Sequence, residues 1–135
     1  MAEIAIFNPE KLSKPLGPYS HIARAKGAEL VFIAGQVAVD EVGNIVGAVD
    51  FDAQCVQVFA NIGAALDAVG AGWSNIVQFT TYLVHSQDIA KFMTYRSRAF
   101  PALFRNGAYP PNTLLIVDRL VQEPFPLEVQ AIAAL

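Results

Sequence analysis

The stretch Tyr109-Pro110-Pro111-Asn112-Thr113-Leu114-Leu115-Ile116-Val117-Asp118-Arg119-Leu120 decides the reading of this chain, together with Phe125-Pro126-Leu127-Glu128-Val129-Gln130-Ala131-Ile132-Ala133 just beyond it. Both segments alternate in polarity and carry β-branched residues, which predicts two strands. The connection from Val121 to Pro124 has the length of a hairpin loop, so the two strands are expected to pair. Asn112 begins the first strand and Glu128 lies early in the second, and the reading places both at one end of the hairpin. A carboxylate inside Leu127-Glu128-Val129-Gln130 is costly to bury unless it is paired or hydrogen-bonded. Glu128 therefore either faces solvent on an alternating strand or sits in a pocket and has a task there.

Upstream, residues 1–14 read as a polar lead-in. Lys14-Pro15-Leu16-Gly17-Pro18-Tyr19-Ser20 packs two prolines and a glycine into a fixed loop that holds out Tyr19. Ile22 to Ala25 and Leu30 to Val37 are expected strands, joined through Lys26-Gly27-Ala28 as an antiparallel pair, and Gly35 within the second predicts a bulge or a close approach. Asp40 to Asn44 reads as a turn. From Asp50 to Val69, apolar residues recur every three or four positions (Phe51, Cys55, Val58, Phe59, Ile62, Leu66, Val69), which predicts a helix capped by Asp50 and stopped at Gly70. Ile76 to Val84 is an expected strand, reached by a parallel crossover. A second helix is expected to start at Ser86 as N-cap, bury Ile89, Phe92, Met93, Ala99 and Phe100, and kink or end at Pro101. The predicted order is β-β-α-β-α-β-β. This is an α+β fold, one mixed sheet with two helices on one face, in a single domain spanning 1–135.

Hydrophobic residues are 54% of the chain and charged residues 16%, a low charge fraction for so small a monomer. The reading is that other subunits cover part of the apolar surface. No apolar run reaches the roughly 18 residues of a membrane span, and the N-terminus has no basic leader pattern, so a cytoplasmic protein without membrane partners is expected. One cysteine, Cys55, excludes an internal disulfide and suits a reducing compartment. It lies on the apolar stripe and reads as a small core residue. A net charge of −3 leaves no footprint for nucleic acid. The glycines match neither a phosphate loop nor a dinucleotide fingerprint, and two distant histidines with one cysteine do not make a zinc site, so no cofactor and no metal are expected. Arg96, Arg98 and Arg105 read as a solvated helix face and its exit loop.

Gly17-Pro18-Tyr19-Ser20, Ala34-Gly35-Gln36, Asn61-Ile62 and Leu127-Glu128-Val129-Gln130-Ala131-Ile132-Ala133, in this order, resemble the RidA family, also called YjgF or endoribonuclease L-PSP. The resemblance runs from about Ile6 to Leu135. It implies a chorismate-mutase-like fold, a homotrimer whose sheets close a central β-barrel, and ligand clefts between subunits. It further implies hydrolysis of reactive imines or enamines to a carbonyl compound and ammonia. On the resemblance, Glu128 and Tyr19 are the catalytic residues, Glu128 holding or polarising the attacking water and Tyr19 lining the cleft. Asn112, Thr113, Gly35 and Ala34 are the substrate-binding ones.

Two positions depart from the family. Asn112 stands where a carboxylate-clamping arginine is usual, and Ala34 stands in a serine position. An arginine fork gives two charge-assisted hydrogen bonds, and replacing it by a neutral amide costs about 1.5–3 kcal/mol. The expectation is a substrate other than 2-iminopropanoate, with Arg24 or Arg105 as candidate substitutes for the missing charge. Two alternatives stand beside the enzyme: a trimer that binds a small metabolite or partner without turnover, and an endoribonuclease, known only from the family's older label. The acidic balance and the lack of a histidine acid/base pair speak against the last.

Overall fold

The computed structural model of the chain describes residues 2–135, and every side chain among them but that of residue 106. Six strands and two helices follow in the order β1 (Glu3–Phe7), β2 (Ile22–Lys26), β3 (Leu30–Gln36), α1 (Phe51–Ala68), β4 (Ile76–Leu83), α2 (Asp88–Leu103), β5 (Asn112–Ile116) and β6 (Leu127–Ala134). The α+β class and the placement of both helices agree with the sequence reading.

Helix α1 starts where Asp50 accepts the Ala53 amide at 3.1 Å. It ends at Ala68 with Val69 as its C-cap, and Gly70 follows with a φ of 70°, the left-handed stop that glycine makes cheap. Helix α2 differs in detail. Gln87, not Ser86, occupies its N-cap and makes no side-chain bond there, and Pro101 lies inside the helix, which closes two residues later. Near a C-terminus the ring displaces only one bond of the ladder, so the helix tolerates it.

Two expectations about pairing are corrected. The sheet runs β3-β6-β4-β5, so β5 and β6 are not a hairpin: β4 lies between them, parallel to β5 and antiparallel to β6. Local spacing permits a hairpin, but the buried faces of β4 and β6 are better matched, each alternating buried with half-open positions. Likewise β2 does not pair with β3. It forms a separate two-stranded ribbon with β1, a strand inside the expected lead-in where Ile4 and Ile6 alternate with Glu3 and Ala5. The crossover prediction holds: β3 and β4 run parallel, each antiparallel to the β6 between them.

One sheet face carries Phe79, Thr81 and Leu83 of β4 and Leu127, Val129, Ala131 and Ala133 of β6, all buried under the helices. Phe59 of α1 sits at the centre of that core, its ring 5.4–6.4 Å from those of Phe79, Phe92, Tyr95, Phe100 and Trp73. Cys55 is fully buried there, as read from the stripe. The opposite face is open, and Phe32 on it is 71% exposed. Among the described residues no helix is long and apolar enough to cross a membrane.

Candidate functional site

The open face is built by alternation. Glu128, Gln130 and Ile132 of β6 point away from the helices, because their neighbours at 127, 129, 131 and 133 are buried in the core. Across the ladder, Tyr82 pairs with Glu128 and Thr80 with Gln130. Tyr82 donates its hydroxyl hydrogen to Gln130 Oε1 at 3.2 Å, so Glu128 stands at the end of a short polar row. Tyr82 and Gln130 were not singled out in the sequence, although alternation from the buried Phe79 and Leu83 already places Tyr82 on this face.

On the other side of Glu128 the β3 ladder slips. Ile33 pairs with Ala131 and Gln36 with Val129, so Ala34 and Gly35 together oppose Gln130. This is the bulge that Gly35 predicts. A Cβ placed on Gly35 would lie 2.6 Å from Glu128 Cδ and 2.8 Å from its Cγ, and closer still to Oε2. Only glycine lets the carboxyl lie flat on the β3 backbone. Among the described residues no ion pair engages Glu128. Ala34 is exposed beside it, and its carbonyl accepts the Gln36 side chain at 3.1 Å.

The remaining expected residues lie elsewhere on the chain. Asn112 pairs with Phe79, three positions along β4 from Tyr82, and its Oδ1 accepts the hydroxyl of the buried Thr81 at 2.7 Å. It therefore points to the helix side, and within one chain the sheet separates it from Glu128; the two are not at one end of a hairpin. Thr113, paired with Thr80, is on the open face and exposed. Tyr19 is half-buried in the Pro15–Ser20 loop. Its oxygen accepts the Leu16 amide at 3.2 Å, and its ring meets that of His21 edge-on at 6.0 Å. His21 in turn ties the loop to the Ser13 carbonyl through Nε2 at 2.7 Å. Arg24 and Arg105 are exposed and line two surface depressions whose walls include neither Gly35 nor Glu128.

Arg96 is the largest departure. It does not lie on a solvated helix face: it is 3% exposed, with Nε and Nη1 buried and without hydrogen-bond partners among the described residues. Its guanidinium stacks 4.6 Å over the Phe92 ring. Desolvation lowers its pKa to about 10, opposed by the nearby Tyr19 hydroxyl. Burial likewise pushes the Cys55 thiol far up, which suits a core residue and not a nucleophile. Among the described residues no three His, Cys, Asp or Glu side chains are grouped to hold a metal ion.

The family model described as endoribonuclease L-PSP matches residues 10–135. The chain is a member of the RidA (YjgF) family. A RutC family protein of Pyrococcus abyssi is 35% identical over 134 residues, 98% of each chain. A mouse 2-iminobutanoate/2-iminopropanoate deaminase is 28% identical over 129 residues, 89% of this chain and 93% of its own. The crystal structure of a protein of unknown function, of the conserved Rid family, from Yersinia pestis superposes with a TM-score of 0.86 at 28% identity, covering 98% of both chains. One relative of this chain is thus named as a deaminase of 2-iminobutanoate and 2-iminopropanoate.

Proposed function

We propose that this RidA-family protein hydrolyses a reactive imine or enamine, adding water across C=N to release a carbonyl compound and ammonia. The observation that carries this is the Glu128 carboxylate, seated on the bare backbone of Gly35 at the open sheet face with no ion pair among the described residues to occupy it. Such a group can hold a water and take its proton as the oxygen attacks the imine carbon. The chemistry asks little more, because a protonated imine is already electrophilic and needs mainly positioning. Ala34 and Gly35 border the ligand with backbone groups, and Tyr19 and Thr113 line the cleft.

The working form is a homotrimer, in which the open faces meet and a cleft lies between neighbouring chains. This reading draws on the exposed Phe32 and the unpaired outer edges of β3 and β5. Asn112 does not act as the substrate's charge clamp: its amide is neutral and its oxygen is engaged by Thr81. The part of the substrate that a family arginine would hold therefore meets no charge at position 112, and the preferred substrate differs there from 2-iminopropanoate unless another cation takes that role.

The test is the rate of hydrolysis of imines generated in situ, 2-iminopropanoate among them, for the wild type and Glu128→Gln. Loss of general-base help is expected to cost about 10²–10⁴-fold. Equal rates would remove Glu128 from the mechanism. A second reading, binding without turnover, is favoured by the engaged Asn112. It would lead if neither the wild type nor Asn112→Arg hydrolysed any imine.

A further inference from the structure

A buried guanidinium is costly unless something anionic meets it. Among the described residues Arg96 has only a thioether: Nη2 donates to Met93 Sδ at 2.9 Å, and sulfur there is a weak acceptor. Among the described residues no carboxylate lies within 4 Å of it. The Pro15–Ser20 loop passes over this group: a Cβ on Gly17 would lie 2.5 Å from Met93 Cε and 3.7 Å from Arg96 Nη2. Tyr19 belongs to that same loop, near enough to Arg96 for an ionised phenol there to favour the charged guanidinium.

We infer that Arg96 is the anion clamp of this chain's cleft, and that it takes the carboxylate of a small acid in place of the charge Asn112 lacks. This rests on the proposed imine chemistry for its context and narrows the substrate to an imine bearing a carboxylate. A carboxylate entering beneath Tyr19 replaces the Met93 sulfur on Nη2 and satisfies a nitrogen now left bare. The loop has to shift only where Gly17 touches Met93. Arg96 is a specificity residue, not a catalytic one: within one chain the sheet separates it from Glu128, where the reacting carbon is held, and the acid spans the two only across the cleft between subunits. A carboxylate contributed by a neighbouring subunit could meet the same guanidinium, and the test separates the two.

Binding of pyruvate and benzoate, each beside its neutral amide, is measured by calorimetry on wild type, Arg96→Met, Arg96→Lys and Glu128→Gln. The wild type is expected to prefer the acids. Arg96→Met should bind them about tenfold or more weakly, as loss of a charge-assisted contact implies, with the amides unchanged. Arg96→Lys should recover part of the difference. Arg96→Met should also keep or raise its melting temperature, since it removes a charge with no partner. Equal binding of acids by wild type and Arg96→Met, or no binding of either acid, overturns the inference. So does a fall in melting temperature with loss of the oligomer, which marks a subunit's carboxylate as the partner. Glu128→Gln separates the two claims: acid binding that depends on Arg96 stands even where no imine is hydrolysed.

Discussion

At Gly35 a single missing side chain decides whether Glu128 can lie where it does. A methyl group would overlap the carboxyl at 2.6 Å, inside any real carbon contact, so the carboxyl of a Gly35→Ala variant must swing off the β3 backbone. The backbone of Gly35 is not among those with positive φ, so alanine adopts it without strain. Gly35→Ala should therefore keep its melting temperature within a few degrees while imine hydrolysis falls, by up to about the 10²-fold that a 1 Å misplacement costs. Urea unfolding beside kinetics checks this; full activity would mean that the seat on Gly35 is not the working position. Gly35 and Glu128 were legible before the fold because each breaks a local rule, a glycine in a strand and a charge among apolar residues. Arg96 was not. In sequence it is one of three nearby arginines, and its burial depends on a loop nearly eighty residues upstream folding over it.

At the scale of the element, α1 was readable almost to the residue because its cap, stripe and stop are all local. The pairing of β5 with β4, and of β2 with β1, was not readable. A strand's partner is a long-range choice, and the loop at 121–124 permits a hairpin that the sheet does not use. The burial of α1 has a titration consequence at Cys55. Desolvation comes first in raising the thiol far above its ordinary value near 9, and Asp52 and Asp88 add repulsion. In the folded chain the thiol keeps its proton, whereas the unfolded chain loses it above pH 9 and then binds fewer protons. Stability from this group is thus complete below pH 9 and lost as pH rises beyond, by up to about 1.4 kcal/mol per pH unit. The urea midpoint of the wild type should fall more steeply between pH 8.5 and 10 than that of Cys55→Ala. Parallel slopes would place the thiol in a wetter site than α1 gives it.

At the scale of the whole molecule, the low charge fraction and the open sheet face express one fact. Phe32 on β3, beside Ile132 on β6, with Leu115 on β5, puts apolar side chains on the same face as Glu128. A phenylalanine taken from water is worth about 1.5–3 kcal/mol, and a closed trimer repeats that gain three times. If these faces meet, the wild type sediments at three times its chain mass of 14.5 kDa, and Phe32→Glu sets three carboxylates into the shared interior. The variant should sediment as a single chain with its helical signal intact. It should also lose imine hydrolysis although Glu128 and Gly35 are untouched, because a cleft between subunits needs both of its walls. A wild type that sediments as one chain, or a Phe32→Glu monomer at full rate, would confine the site to a single subunit, with Tyr19 and Arg96 then outside it.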